Sequence, residues 1–352
     1  MKEADIIVPE LKKMFSQPNE KVVIFIGNPD PDSIGSGMGV KFLLQNLNNS
    51  SCDIVYSGEI SHPQNRTLVN VLNIEMIEQE KFFADNKNEV LKNYSKFVWV
   101  DHVPREKMPE KIEPNFVVDH HKTSCEHAGT IVDIRNVGSC CSIIWDYLRA
   151  SGYKLSPDKE SDAKTAIAML FGIKTDTGDL ISDSATDLDF SAYQDLALIV
   201  KENNMSDITN YKYPAYFFEV RSRLDEENNS IIKDSFFVGG IEFISPARRD
   251  CLPMLADERV RMEGVSTSIV FAVIGDNLEA SIRSSNPAVD VNKLCKDVFG
   301  EAYAGGRIGA GGARVPLGIL SSSIMSDEDR KTIWPAYRSI ILHKILHYCG
   351  GH

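Results

Sequence analysis

Short apolar runs alternate with amphipathic stretches through the first half of the chain. The apolar runs stand at 21–26 (KVVIFI), 52–56, 97–100 and 115–118. Runs of this length are typical of strands buried on both faces of a parallel sheet. Apolar residues at helical spacing predict helices over 5–15, 33–47, 139–150 and 162–173. This alternation predicts an α/β fold with a doubly wound, mainly parallel sheet.

The pattern changes after residue 234. Strands are predicted at 235–244, 268–275 and 278–285, with a helix at 290–299 and a last helix near 328–348. A glycine-rich segment, GGRIGAGGARVPLG, lies between the two helices at 305–318. We therefore expect three parts: a first domain at 1–200, a helical linker at 201–233, and a smaller α/β domain at 234–352.

Composition narrows the class of protein. The chain has 352 residues, with 38 Lys and Arg against 50 Asp and Glu, so its formal charge is −12. This acidity argues against binding long duplex DNA or an anionic membrane, but it leaves short nucleotides open. The seven cysteines are irregularly spaced without a CxxC, which argues against a disulfide framework. With no run near the ~20 apolar residues of a membrane span, a cytoplasmic protein is expected.

Acidic residues and histidines follow several predicted strands directly. Asp30 and Asp32 follow the first run, Asp101-His102 follows a later one, and Asp119-His120-His121 follows the next. Because the carboxyl ends of parallel strands line the ligand crevice of an open α/β sheet, these side chains should converge. A further acid, Asp176, lies in a glycine-flanked segment, GIKTDTG, where we expect a loop.

A divalent metal would explain this concentration of charge. Clustered carboxylates repel one another and are costly to bury, and a bound cation removes that cost. Mixed Asp and His ligands favour Mn²⁺, Zn²⁺, Co²⁺ or Fe²⁺ over Ca²⁺. A DxD loop alone is more typical of a turn or helix cap, and a His pair alone of ordinary polar surface. The combination in this order points to a metal site.

The same segments resemble the DHH phosphoesterases. The resemblance depends on NPDPDSIGSG (28–37), Asp101 after a strand, VVDHHKT (117–123) and GIKTDTGD (172–179). The segment 305–318 resembles the glycine signature of the accessory domain called DHHA1. The resemblance implies two α/β domains with an active site in the cleft between them. It also implies hydrolysis of a phosphodiester or phosphoanhydride by a metal-bound water, usually with one or two Mn²⁺, with Mg²⁺ or Co²⁺ as alternatives.

The resemblance also implies roles for individual residues. Asp30 would bind a first metal, Asp101 would bridge both metals, and the second metal would take Asp32, His120 and Asp176. Asp119 would orient His120, and His121 would face the substrate phosphate. Substrate contacts would come from the backbone at Gly305, Gly306, Gly309, Gly311 and Gly312, and from the side chains of Arg283, Arg307 and Arg314.

Two positions depart from the family pattern. The family has a His four residues before the first Asp, where this chain has Ile26. The DHHA1 signature carries a His after its glycines, and that place falls near Ile308. Three interpretations stay open for Ile26. Another group such as His102 or Asn28 replaces the ligand, only the second metal is held firmly, or the chain binds nucleotides without cutting them.

The length and acidity favour a small substrate. We expect a short oligonucleotide, a cyclic dinucleotide or a related small nucleotide. An inorganic pyrophosphatase or exopolyphosphatase is a further alternative, although such pyrophosphatases carry basic substrate ligands where this chain has glycines. The sequence leaves a homodimer open.

Overall fold

The computed structural model describes residues 3–84, 90–104, 112–121, 123, 125, 128–200, 205–226, 229–321 and 325–350. The chain divides into two compact units, Met1–Lys212 and Tyr213–His352. The division falls inside the predicted 201–233 linker, of which 201–204 and 227–228 lie outside the described residues. The described part of 213–233 belongs to the second unit and contains a helix and an edge strand.

The first unit is built on a six-stranded sheet in the order β3-β2-β1-β4-β5-β6. Its strands are β1 Lys21–Ile26, β2 Ser51–Tyr56, β3 Ile77–Glu78, β4 Lys96–Val100, β5 Phe116–Asp119 and β6 Ile131–Ile134. Every pairing in it is parallel, which confirms the predicted doubly wound sheet. The strand order reverses between β1 and β4, and such a reversal opens a crevice at the carboxyl ends of the strands.

Helices surround this sheet. They are α1 Glu3–Met14, α2 Pro31–Asn48, α3 Pro63–Leu72, α4 Gln79–Phe82, α5 Cys140–Ser151, α6 Glu160–Asp176, α7 Asp187–Ile199 and α8 Met205–Thr209. The β1 run is buried on both faces: Ile24 and Ile26 join one core, and Phe25 joins another with Trp99. Burial on both faces explains why the run is apolar without alternation.

Glycines let α2 and α6 approach closely. A Cβ at Gly35 would lie 2.5 Å from the carbonyl oxygen of Ala168, and one at Gly172 would lie 2.9 Å from the Cα of Asp32. Only residues without a Cβ fit at such distances. This packing brings the first turn of α2 next to the last turns of α6.

The second unit has a mixed sheet in the order β11-β12-β10-β9-β8-β7. Only β8 and β9 pair in parallel among its described strands. The strands are β7 Ser230–Lys233, β8 Phe236–Ile244, β9 Thr267–Ile274, β10 Asn277–Ser284, β11 Ala304–Arg307 and β12 Ala310–Pro316. The helices are α9 Ala215–Leu224, α10 Cys251–Arg259, α11 Val291–Phe299 and α12 Asp327–Gly350, so the predicted smaller α/β unit is confirmed.

The two faces of this sheet carry separate apolar cores. Ile269 and Ile282 face the core that includes Leu294 of α11 and Ile345 of α12. The opposite core includes Leu255 of α10. Among the described helices of the whole chain, none combines the length and hydropathy that a membrane span requires.

Candidate metal centre

Side chains from four segments of the first unit meet around His120. The Nε2 atom of His120 lies 3.2 Å from Asp101 Oδ1, 3.4 Å from Asp176 Oδ2 and 3.5 Å from Asp32 Oδ2. Asp101 directly follows β4, and His120 directly follows β5. The expected convergence of separate strand ends is therefore what the structure shows.

Asp176 reaches this cluster from a helix, which corrects the expectation of a loop. It is the last residue of α6, and Thr177 is the C-cap. The helix continues through Gly172 because that glycine is needed for contact with α2 rather than for a turn. The prediction of a loop at Asp176, which depended on the flanking Gly172 and Gly178, was therefore wrong.

Asp32 is held by the amino end of α5. Its carboxylate accepts hydrogen bonds from the backbone N–H groups of Cys140, at 2.7 Å, and Cys141, at 2.9 Å. The hydroxyl of Ser139 donates a third bond, at 2.6 Å. A helix amino terminus favours negative charge, so these donors stabilise the carboxylate in the interior. Sequence reasoning missed these donors, although Ser139 before an apolar run is a recognisable N-cap.

Two buried atoms in the cluster lack a hydrogen bond. His120 Nε2 and Asp101 Oδ1 face each other as an ion pair at 3.2 Å, but neither atom makes a hydrogen bond of good geometry to the described residues. Asp101 also has a left-handed backbone, with φ of 62°. Unpaired buried polar atoms cost free energy and strained backbone marks functional sites. A cation between the two atoms would satisfy both.

The electrostatics of the cluster show the same deficit of positive charge. Burial, and then the nearby Asp32 carboxylate, raise the pKa of Asp101 well above its ordinary value. Burial opposes a charge on His120, but the carboxylates of Asp101, Asp32 and Asp176 outweigh it and raise the pKa of His120 to about 10. Both shifts favour the protonated form, so the cluster favours added positive charge, which a metal ion would also provide.

The other histidine contacts differ from those predicted. The Nδ1 atom of His120 lies 3.1 Å from the carbonyl oxygen of Val137, which was not predicted. The Asp119 carboxylate accepts from the backbone N–H of His120 at 2.7 Å, and its ring contact is with Nδ1 of His121 at 2.8 Å. Asp119 therefore orients the His121 ring, and Val137 orients the His120 ring. His121 remains 46% exposed.

Asp30 and His102 have other partners. The Asp30 carboxylate accepts from the backbone N–H of Ser33 at 2.9 Å and caps α2, the alternative interpretation of a DxD loop. Burial raises its pKa. The Nδ1 atom of His102 lies 3.0 Å from the carbonyl oxygen of Val100. Ile26 is 1% exposed within the apolar core.

Two overlapping sets of ligand atoms could hold a metal ion. One contains Asp32, His120 and Asp176, the other Asp101, His120 and His121, and within each set all atoms lie within 4.8 Å of one another. Among the residues that the structure describes, Asp30 and His102 belong to neither set. The unpaired buried atoms and the mixed carboxylate and imidazole donors fit a divalent transition metal.

The predicted glycines of the second unit fall into three groups. A Cβ at Gly311 would lie 2.5 Å from Cys295 Sγ, and one at Gly306 would lie 3.2 Å from the backbone N of Asn292, so these two allow contact with α11. Gly309 turns the β11–β12 hairpin with φ of 76°. Gly305 and Gly312 have open space near them, since a Cβ at either position would meet no atom closer than 3.4 Å.

Gly305 and Gly312 line a cavity of about 550 Å³ within the second unit. Arg314, Arg249 and Tyr303 also line it. The guanidinium groups of Arg249 and Arg314 both contact the buried Glu279 carboxylate.

The other two predicted arginines do not line this cavity. Arg283 donates to Asp257 at 2.6 Å, and Arg307 is exposed on the hairpin. The second unit therefore offers Arg314, with Arg249, as the cationic part of the cavity.

Comparison with known proteins identifies the first unit. Residues 21–173 match the model of the DHH family, N-terminal domain. The chain is 30% identical over 321 residues to an uncharacterized protein of Methanocaldococcus jannaschii, covering 90% of this chain and 62% of that protein. The chain thus spans less than two thirds of that relative. An exopolyphosphatase-related protein of Bacteroides fragilis has a similar fold, with TM-score 0.72, 13% identity and 99% coverage of each chain.

Proposed function

Residues 21–173 match the model of the DHH family, and we propose that the chain is a metal-dependent phosphoesterase. Its substrate would be a phosphodiester or phosphoanhydride in a short oligonucleotide, cyclic dinucleotide or related small nucleotide. The observation that carries this proposal is a buried cluster in which His120 Nε2 faces the carboxylates of Asp32, Asp101 and Asp176, while His120 Nε2 and Asp101 Oδ1 make no hydrogen bond.

Asp32, Asp101, His120 and Asp176 would hold the ion, with Mn²⁺ favoured and Mg²⁺ or Co²⁺ as alternatives. A bound divalent ion polarises phosphoryl oxygens and lowers the pKa of water, which allows hydrolysis at neutral pH. Because Ile26 is buried in the core and Asp30 caps α2, the structure supports one firmly held ion better than two.

His121 would contact the substrate. Its Nδ1 lies against the Asp119 carboxylate, and its ring is partly exposed. Burial would raise the pKa of Asp119, but hydrogen bonds from His121 and His120 lower it overall, so this carboxylate stays charged. A charged partner fixes the ring and directs Nε2 away from Asp119, where the imidazolium form can donate to a phosphoryl oxygen.

The cavity of the second unit would bind the phosphate and base of a nucleotide. Gly305 and Gly312 present backbone without side chains, and Arg249 and Arg314 bring guanidinium groups that suit phosphate. Tyr303 offers an aromatic face to a base. Of the predicted substrate contacts, this proposal keeps Gly305, Gly312 and Arg314, and adds Arg249 and Tyr303.

A hydrolysis assay on metal-stripped protein tests the proposal. Graded Mn²⁺ would be added with a dinucleotide, a cyclic dinucleotide, a nucleoside bisphosphate, pyrophosphate or polyphosphate. We expect turnover that requires Mn²⁺, prefers one of the nucleotides, and disappears in Asp176→Ala. The control Asp179→Ala changes an exposed acid just past the same helix. Equal turnover in Asp176→Ala, or none with any metal, would refute the proposal.

A second candidate is a nucleotide-binding protein without catalysis. It is favoured by Ile26, which occupies the place of a metal-binding His with a buried side chain. Nucleotide binding by calorimetry, with no turnover of any substrate, would support this candidate over the first.

A further inference from the structure

A buried charged network lies behind the candidate metal centre. Arg135 follows β6, and its side chain is 6% exposed. Its Nε lies 3.0 Å from both carboxylate oxygens of Asp133, and its Nη1 donates to Asp146 at 2.8 Å. Tyr147 donates to Asp133 at 2.6 Å and lies with its ring 5.5 Å from the guanidinium. The network joins the end of β6 to α5.

The network is adjacent to the Val137 carbonyl, which contacts the ring of His120. The backbone N–H of Arg135 donates to the carbonyl of Asp119 at 3.1 Å, and that of Val137 donates to the carbonyl of Arg135 at 3.1 Å. The Val137 carbonyl then accepts from Nδ1 of His120. The segment 135–137 is thus fixed by the Arg135 side chain at one end. At the other end, Gly138 donates to Asp189 at 2.9 Å.

The geometry of the His120 ring depends on this carbonyl. A carbonyl oxygen only accepts hydrogen bonds, so Nδ1 must carry a proton. Deprotonation of the ring then leaves the lone pair on Nε2, the atom that faces Asp32, Asp101 and Asp176. A shift of the Val137 carbonyl would allow the other tautomer or rotate the ring. Hydrogen bonds of this kind determine which nitrogen of a histidine binds metal.

A buried ion network of this kind needs an explanation beyond stability. Well-packed apolar residues of similar volume are often equally stable, whereas the directional bonds of Arg135 fix the backbone in one position. We propose that Arg135 is a positioning residue. By binding Asp133 and Asp146, Arg135 would hold the Val137 carbonyl in place. This carbonyl would then keep the proton on Nδ1 of His120 and leave Nε2 to bind the metal. This inference rests on the proposed metal site, but the position of the His120 ring can be measured without metal.

The first test is an NMR measurement on the metal-free full chain. A His120 Nδ1–H bonded to a buried carbonyl gives a slowly exchanging resonance whether or not Nε2 is protonated, and its loss in His120→Gln assigns it. We expect Arg135→Met to lose or shift this resonance. The matched control is Arg149→Met. Arg149 donates to the other oxygen of Asp146 at 2.5 Å, and among the hydrogen bonds and ion pairs of the described residues none joins it to segment 135–137, so the resonance should persist.

Arg135→Met leaves the buried Asp133 without a cationic partner and Asp146 with Arg149 alone, and the variant can fail to fold. A second variant, Asp133→Asn with Arg135→Met and Asp146→Asn, removes the charges together and gives a folded test. Its resonance should also shift, because the directional bonds are gone. An unchanged resonance in this folded variant would overturn the proposal.

The second test is Mn²⁺ affinity, measured by titration with electron paramagnetic resonance detection. Loss of a residue that orients a metal ligand typically weakens binding about 10- to 100-fold, and we expect this range for the Arg135 variants. Arg149→Met should stay within about twofold. If even the unsubstituted chain binds no Mn²⁺, the proposed function fails, while the NMR result still decides the role of Arg135. Normal affinity in the Arg135 variants would overturn the positioning role.

Discussion

The two units present their candidate residues in different ways. In the first unit, an all-parallel sheet brings Asp101 and His120 to one edge, and two helix ends add Asp32 and Asp176. In the second unit, the glycine-rich strands β11 and β12 expose alternate residues on opposite faces of a mixed sheet. Gly306 and Gly311 meet α11, whereas Gly305 and Gly312 line the cavity.

This difference shows what each motif specifies. The acids and histidines of the first unit are costly to bury unless they have a common partner, so their presence at several strand ends indicates a site. A glycine can line a ligand site, form a turn or allow a helix to pack closely, and the amino-acid sequence alone does not distinguish these uses.

The largest expected difference is in turnover, between variants of His120 and His102, which follow neighbouring strands. His120→Asn should lower Mn²⁺-dependent turnover by about 10³-fold, because a metal supplies several kcal/mol to the transition state. His102→Asn should stay within about threefold, since His102 lies outside both sets of ligand atoms. Steady-state kinetics at saturating Mn²⁺ measure both. A comparable loss in His102→Asn would show that His102 replaces the missing ligand at position 26.

The next largest expected difference is in the free energy of unfolding, between variants of the adjacent Gly311 and Gly312. Gly311→Ala places a Cβ 2.5 Å from Cys295 Sγ and should cost about 1–3 kcal/mol of unfolding free energy. Gly312→Ala meets nothing closer than 3.4 Å, so the fold should be retained while the cavity narrows. Thermal unfolding and KM would be measured for both variants. Equal destabilisation would mean that Gly312 is also a packing glycine.

A smaller difference is expected in KM, between variants of Arg314 and Arg283 in the second unit. Arg314→Met should raise KM about 10-fold, the size expected for one hydrogen bond to a charged group. Arg283→Met should change KM less, because Arg283 is paired with Asp257 outside the cavity. The substrate found by the hydrolysis assay serves for both measurements. A larger rise in KM for Arg283→Met than for Arg314→Met would indicate that the substrate binds near Arg283, at the carboxyl end of β10.

The smallest effect is a pH dependence of the metal-free chain. The pKa of His120 is raised to about 10 in the folded state, so its contribution to stability is complete below the unfolded value of about 6.5. That contribution is lost as pH rises through 10, and the raised pKa of Asp101 acts in the same direction. The melting temperature should therefore fall between pH 7 and 10, and less steeply in His120→Asn. A rise with pH would contradict the assignment of charge in the cluster.

Metal binding should show the opposite trend over the same range. The ligands release protons when the ion binds, so Mn²⁺ affinity should increase with pH. Titrations at two pH values, on the same preparation used for unfolding, distinguish this linkage from general destabilisation.

Sequence patterns predicted the sheet of the first unit and the convergence of its acids. They succeeded because buried parallel strands are apolar throughout and because their carboxyl ends share one edge. The short strand β6, Ile131–Ile134, was not predicted, since IVDI has four residues and a central acid. Helix α10 was also missed, because its Pro253 argues against a helix.

Apart from the Ser139 hydroxyl, the parts of the metal centre that the sequence did not predict are backbone groups. Asp32 is bound by the amides of Cys140 and Cys141, and His120 by the carbonyl of Val137. Every residue carries these groups, so no side-chain pattern marks them. Their positions follow from tertiary packing, which is why the Arg135 network became visible only in the fold.

The central claim is that the side chains around His120 hold a divalent metal. It is tested most directly by diffraction from crystals of the full chain grown with Mn²⁺, with data collected on both sides of the manganese absorption edge. We expect an anomalous peak for manganese bound by His120 Nε2, Asp32, Asp101 and Asp176. A map with no manganese at His120, from crystals in which these side chains are ordered, would contradict it.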